Sequence, residues 1–349
     1  MTNKDKIKVL IAGLGNMGMS HAIAHHHLAR SQIVGLVNRS AIDLPQELTS
    51  YRLFTDFSHA LVTTRPDLVV IATYSDSHAD YACEAMAAGA HVFVEKPLAT
   101  TVADARRVVE TAKRYGKKLV VGYILRHHPS WKQLIEEARS LRGPYVFRMN
   151  LNQQSTGATW ETHKALMRTT PPIVDCGVHY VDVMCQITDA RPVRVHGMGL
   201  RLSDEIAADT YNYGQFQVVF EDGSVGWYEA GWGPMMSEVA YFVKDVITPR
   251  GSVSIMSGMH PASDSVEGHT KVGSLRIHLA NAVDRLVDFP DEPGHQQLCD
   301  TEQAFVLSAI AENLDLSRHM QDAVQSLAVC LAADESIRTG RPIDLKELV

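Results

Sequence analysis

A chain of 349 residues carries about two domains at roughly 150 residues each. With 45% hydrophobic and 21% charged residues and no biased tract, it is not collagen-like, disordered or a disulfide scaffold. Lys and Arg number 33 against 40 Asp and Glu, a net charge of -7, so no basic surface is offered to a phosphate backbone and nucleic acid is not an expected partner.

Cys83, Cys176, Cys185, Cys299 and Cys330 are widely spaced, odd in number and contain no Cys-x-x-Cys pair, so buried thiols in a reducing, cytoplasmic compartment are expected. Lys4, Lys6 and Lys8 precede a short apolar run, but Val9 to Ala12 is too short for the core of a signal peptide. No apolar stretch approaches the ~20 residues that span a bilayer, and no membrane association is expected.

The first third alternates short β-branched runs with helical stretches. Strands are expected at Ile7 to Ala12, Ile33 to Val37, Leu68 to Ala72, His91 to Val94 and Lys118 to Tyr123. Helices are expected at Met17 to Ala29, Ser77 to Ala88 before Gly89, and Val102 to Tyr115 before Gly116. This is the rhythm of a parallel sheet, and all-apolar strands such as Val69-Val70-Ile71 imply that both its faces are covered. Beyond Tyr123 the pattern changes. Strand-like runs follow at Tyr145 to Asn152, Val193 to Leu200, Tyr213 to Phe220, Ser224 to Ala230 and Val239 to Val246, with a turn signal at Glu221-Asp222-Gly223-Ser224. One helix is expected near Ile173 to Ile187, and helical sequence returns at Gln296 to Asn313 and Met320 to Arg338. The expectation is an α/β protein with two domains. Residues 1–123 form a dinucleotide-binding domain, and residues 124–349 an α+β domain on a large, mostly antiparallel open sheet.

Gly13-Leu14-Gly15-Asn16-Met17-Gly18 follows the first strand and opens the first helix. In a Rossmann domain the first glycine makes the tight turn, the second admits a pyrophosphate to the backbone, and the third lets helix and sheet pack closely. Where an NAD-binding domain usually carries an acid after its second strand, this chain has Asn38-Arg39-Ser40. Donors and a guanidinium in that place suit a 2'-phosphate, so NADP is favoured over NAD.

Glu95-Lys96-Pro97 ends the strand His91 to Val94, at the sheet edge where open α/β sheets bind ligands. A lysine there would donate to a substrate oxygen and stabilise developing alkoxide; a solvated surface amine is equally compatible with position alone. Asp175 and His179 are four apart, on one face of a helix, where they could orient a polyol and exchange its proton. The same spacing also fits a satisfied core or surface pair. His21 and His25-His26-His27 do not converge on one ion in a helix, and no metal is expected.

These segments together resemble the Gfo/Idh/MocA family. The resemblance runs through the glycine loop, Ala72-Thr73-Tyr74-Ser75-Asp76-Ser77-His78, His91-Val92-Phe93-Val94-Glu95-Lys96-Pro97, Gly122-Tyr123-Ile124-Leu125-Arg126-His127 and Asp175 to Asp182. It implies a nicotinamide-dependent dehydrogenase or reductase of a sugar, cyclitol or derivative. Lys96, Asp175 and His179 match the family's catalytic triad, and Thr73, Tyr74, His78 and Glu95 fall in the segments that line the cofactor. Tyr74 departs from a common Pro, and Thr169-Thr170-Pro171-Pro172 lacks the usual glycine run. Tyr123, Arg126, Trp160, His163 and Trp232 are candidate substrate contacts, though each also suits packing or surface roles. Two other activities stay open, glycoside cleavage through transient oxidation and non-catalytic dinucleotide or sugar sensing. A homodimer or homotetramer is expected through the second sheet, where Phe216, Val218, Trp227 and Tyr228 mark an apolar face.

Overall fold

The computed structural model describes residues 6–237, 243–256 and 271–345. The chain divides into two compact units, residues 1–124 with 296–324, and residues 125–295 with 325–349.

The first unit contains β1 (Ile7–Ala12), α1 (Asn16–His27), β2 (Ser31–Val37), β3 (Leu53–Phe54), α2 (Phe57–Thr64), β4 (Leu68–Ile71), α3 (His78–Ala87), β5 (His91–Val94), α4 (Val102–Tyr115) and β6 (Leu119–Val121). Its six strands are all parallel in the order β3-β2-β1-β4-β5-β6. Strand order reverses between β1 and β4, and ligands of open α/β sheets bind at the carboxyl ends flanking such a point. The core joins Val9, Ile11, Leu36, Leu68, Val70, Phe93 and Val120 to Val306, Leu307 and Leu316 from late in the chain. Residues 296–324 therefore group with the N-terminal sheet, unlike the expected single domain over 124–349.

The second unit holds α5 (Pro129–Leu141), β7 (Val146–Gln154), α6 (Gly157–Leu166), α7 (Pro172–Asp175), α8 (Gly177–Ile187), β8 (Pro192–Leu200), β9 (Tyr213–Phe220), β10 (Val225–Gly233), β11 (Lys244–Thr248), β12 (Gly251–Met256), β13 (Ser274–Leu279) and β14 (Arg285–Asp288). Two further helices, α9 (His295–Ala311) and α10 (Ser317–Thr339), and a short β15 (Ile343–Asp344) complete the chain. Nine strands form one sheet in the order β14-β13-β12-β11-β7-β10-β9-β8-β15, antiparallel except where β7 runs parallel to β10. The Asp222-Gly223 hairpin joins β9 to β10, its turn closed by Asp222 Oδ1 accepting from Ser224 N at 2.9 Å. The expected strand Val239 to Val246 falls partly outside the described residues; its described part opens β11.

Strand alternation corrects one expectation. Phe216, Val218 and Tyr228 are buried on the sheet's inner face, against helices, rather than on an open apolar face. On the other face Val219, Val225, Val146 and Ile247 stand side by side across four strands and are 37 to 41% exposed. The single expected helix Ile173 to Ile187 is two, broken at Cys176, whose carbonyl accepts from His179 N at 3.2 Å. Among the described residues no helix is long and apolar enough to cross a membrane. None of the five cysteines forms a disulfide.

Candidate active site

In the first unit, three loops meet at the carboxyl edge of β1, β4 and β5. Gly13 has φ +86°, and a Cβ there would lie 2.4 Å from the Ala72 carbonyl oxygen, so the turn after β1 requires glycine. A Cβ on Gly18 would lie 1.9 Å from the Gly13 carbonyl oxygen. Gly15 is different: a side chain there would meet no protein atom within 4 Å. Nothing in the protein demands glycine at 15, whereas a pyrophosphate lying against the backbone would. The first turn of α1, holding Asn16, Met17 and Gly18, has neither a side-chain cap nor an acidic residue. Its amide donors and positive dipole end suit a dinucleotide's phosphates.

Asn38 follows β2 and braces this loop. Its Oδ1 accepts from Leu14 N at 3.1 Å and its Nδ2 donates to Ser40 O at 2.9 Å. Arg39 and Ser40 beside it are exposed. After β4, Thr73 Oγ1 and Ser77 Oγ are 2.7 Å apart, and Tyr74 is exposed. His78 is buried, with Nδ1 2.8 Å from Pro97 O and Nε2 3.0 Å from Thr73 O, so one imidazole ties the β4 loop to the Glu-Lys-Pro turn. Burial pushes its pKa down, opposed by the two carbonyls. Lys96 is half-buried at the end of β5. The preceding Glu95 is buried, its Oε2 accepting from Lys96 N at 3.1 Å. Tyr123 is wholly buried, its ring 6.2 Å from that of His319, which accepts from Val121 N at 2.8 Å.

In the second unit Asp175 ends α7 and His179 lies in the first turn of α8, both half-buried, separated by the break at Cys176. Gly177 at the break packs closely: a Cβ there would lie 3.0 Å from Cys330 Sγ and 3.3 Å from the Tyr228 ring. Gln153 Oε1 accepts from Trp232 Nε1 at 2.7 Å and faces Cys176 Sγ at 3.8 Å. Trp232 stacks on His163 at 4.2 Å and 13°, and His163 Nδ1 is 3.0 Å from Ser155 Oγ. Gln153 thus joins the segment bearing Asp175 to the His163 platform. Its signal in the sequence is faint: Met149, Leu151 and Gln153 alternate onto one strand face, and a glutamine ends an apolar series. Arg126 forms a two-pronged ion pair with buried Asp182, at 2.8 and 2.6 Å. Trp160 is buried and donates to Glu205 at 3.2 Å. Arg126 is thereby engaged by Asp182, and Trp160 by Glu205.

Two groups of side chains bring three ligand-type atoms within 4.8 Å of one another among the described residues: exposed His26, His27 and Glu47, and buried His21, Glu95 and Glu302.

A parallel sheet in Rossmann order with a glycine loop at its switch point, followed by a mixed sheet packed by the helices that carry Asp175 and His179, defines a protein of the NAD-binding Rossmann class. Residues 7–123 match the oxidoreductase family's NAD-binding Rossmann fold, and residues 134–243 match the GFO/IDH/MocA C-terminal domain. The chain belongs to the Gfo/Idh/MocA oxidoreductase family. It is 30% identical over 191 residues to inositol 2-dehydrogenase of Paracoccus denitrificans, covering 52% of this chain and 54% of that protein. It is 24% identical over 350 residues to scyllo-inositol 2-dehydrogenase (NAD(+)) of Bacillus subtilis, covering 97% and 96%. Apart from such full-length matches, the chain spans about half the length of several curated relatives it matches. Scyllo-inositol dehydrogenase from Lactobacillus casei, solved with NAD(H) and scyllo-inositol, shares the fold at a TM-score of 0.78 and 18% identity, over 97% of this chain and 99% of that one.

Proposed function

We propose that the protein moves a hydride between a nicotinamide dinucleotide and the hydroxyl-bearing carbon of a sugar, cyclitol or sugar derivative. The observation that carries this reading is Lys96 at the carboxyl end of β5, on the sheet edge where the Gly15 backbone stands open to a pyrophosphate. When bound, the nicotinamide supplies the hydride acceptor. Lys96 Nζ donates to the substrate oxygen and stabilises its developing charge. His179 takes the hydroxyl proton at Nε2, since its Nδ1 is buried. Asp175 orients the substrate's hydroxyls, and the His163 ring stacked on Trp232 gives the sugar a flat, rigid wall.

We further propose that NADP is preferred, because exposed Arg39 follows an Asn38 whose oxygen is turned toward Leu14. A carboxylate, the residue type that favours NAD, is missing there. The five thiols without a disulfide support a reducing, cytoplasmic setting. A second copy of the chain is the proposed cover for the stripe of Val146, Val219, Val225 and Ile247, since a two-fold axis would lay this row on itself.

The test is a panel of polyols and keto-sugars with NAD and NADP, following cofactor absorbance. Reduction of cofactor by a polyol supports the reading. Sugar released from a glycoside with no net reduction would point to transient oxidation instead, and dinucleotide binding without turnover of any member would overturn the enzymatic reading.

A further inference from the structure

Behind the Glu-Lys-Pro turn lies a buried polar cluster that the proposed reaction does not use. His21 Nε2 and Glu95 Oε1 are 2.7 Å apart. On the other side of the ring, Gln303 Nε2 is 3.0 Å from His21 Nδ1, while Gln303 Oε1 is 2.9 Å from His25 Nε2, and His25 Nδ1 is 3.0 Å from Ser31 Oγ. An amide has one donor end and one acceptor end, so each ring nitrogen facing Gln303 takes the opposite role. In this orientation His21 accepts at Nδ1 and carries its proton on Nε2, which donates to Glu95. His25 likewise donates from Nε2. Burial holds the His25 pKa down to about 3.

The neighbouring residue on α9, Glu302, is wholly buried, and one of its carboxyl oxygens lies within 4.8 Å of both His21 and Glu95. Two carboxyls this close and out of water do not both ionise near neutral pH. The hydrogen bonds decide which keeps the charge. Glu95 receives the His21 N–H on one oxygen and the Lys96 amide N–H on the other, two donors that favour a carboxylate. A Cβ on Gly122 would lie 3.1 Å from the Glu95 carboxyl carbon and both oxygens, so the chain leaves room for that group there.

We propose that of the neighbouring buried carboxyls Glu95 and Glu302 only Glu302 keeps its proton, and that neutral Glu302 is a positioning residue whose lack of charge lets the Glu95 carboxylate stay beneath the Lys96 turn. Burial and the charge of Glu95 raise the Glu302 pKa well above the usual carboxylate range. The other titratable groups that interact with the pair are His21 from α1, His78 from α3, Lys96 on the turn and Cys299 on α9 itself. Cys299 is held as a thiol by burial and by the charge of Glu95. Only the benefit to Lys96 rests on the proposed function; the protonated Glu302 does not.

Infrared spectra of the full, unliganded chain at about pH 8, where ordinary carboxyls are ionised, test the pair directly. The wild type should show one protonated carboxyl band, and Glu302→Gln, which keeps the shape, should lack it. No band in the wild type overturns the proposal, whether or not the variant folds. A band that survives in Glu302→Gln also overturns it. For the positioning role, Glu302→Ala should lower kcat by about tenfold or more with a smaller change in dinucleotide KM, and Glu302→Gln should restore most of that loss. Equal losses in both variants overturn the role of the neutral carboxyl. A wild type that shows the band but turns over no polyol keeps the pair and sinks the proposed reaction.

Discussion

The proposed preference for NADP rests on two adjacent side chains whose environments differ. Arg39 is exposed, so a hydrogen bond from its guanidinium to a 2'-phosphate is charge-assisted yet screened by solvent. Such contacts contribute about 1.5 to 3 kcal/mol, a ten- to hundredfold effect, and exposure puts Arg39 near the lower end. Arg39→Ala should therefore lower kcat/KM for NADP about tenfold and leave NAD within about twofold. Asn38→Asp tests the other side. One oxygen of the new carboxylate still accepts the Leu14 N–H, as Oδ1 does at 3.1 Å, but the Nδ2 donor to Ser40 O at 2.9 Å is lost. The glycine loop is thus kept at a local cost of about 1 kcal/mol, while the negative charge repels a 2'-phosphate and accepts from free ribose hydroxyls. Preference should move toward NAD in that variant. The assay is kcat/KM for both dinucleotides with one accepted substrate, on wild type and both variants. If the wild type prefers NAD and Arg39→Ala changes neither value, the 2'-phosphate reasoning fails.

Other outcomes follow from the same geometry. Lys96→Met should reduce kcat by at least about 10²-fold while dinucleotide affinity stays within a few fold; near-normal turnover would remove Lys96 from the chemistry. Gly13→Ala sets a Cβ 2.4 Å from the Ala72 carbonyl oxygen at φ +86°, so thermal unfolding should show a loss of more than about 1 kcal/mol together with weakened dinucleotide binding. Asp182→Asn leaves the Arg126 charge without its two-pronged partner, and denaturant titration should register about 3 to 5 kcal/mol of lost stability. His25 is neutral when folded, with a pKa of about 3 against 6.5, so the unfolded chain binds the extra proton as pH falls between those values. Stability should be level above the upper value and drop below it by up to about 1.4 kcal/mol per pH unit, a slope that His25→Leu makes shallower in urea titrations.

How much of this could be read from the sequence depends on the range of the contacts involved. The βαβ rhythm was legible because apolar runs and glycine punctuation are local, and β1, α1, β2, β4, α3, β5, α4 and β6 lie close to where those signals put them. The break at Cys176 was not, since Asp175 and His179 keep helical spacing across it, and Gly177 is explained only by Cys330 and Tyr228 packed against it. The second sheet's strands were legible but its faces were not. Phe216 and Val218 are apolar in either orientation, and only the register with β10 and the helices behind settles which way they turn.

The candidate site divides along the same line. The glycine loop, Asn38 and Lys96 sit at strand ends where backbone geometry sets their roles, so short motifs expose them. The surroundings of Glu95, beside Lys96, are set from far away. Glu95 meets His21 from the first helix and Glu302 from a helix that follows the whole second sheet in sequence. No spacing rule joins those three positions, and Glu302 by itself reads as an ordinary helical glutamate. Folding α9 against the N-terminal core through Val306 and Leu307 brings its carboxyl out of water and beside another. The Glu-Lys-Pro turn can then be recognised from residues 91 to 97 alone, while the proposed protonation of Glu302 behind it is a property of the assembled core.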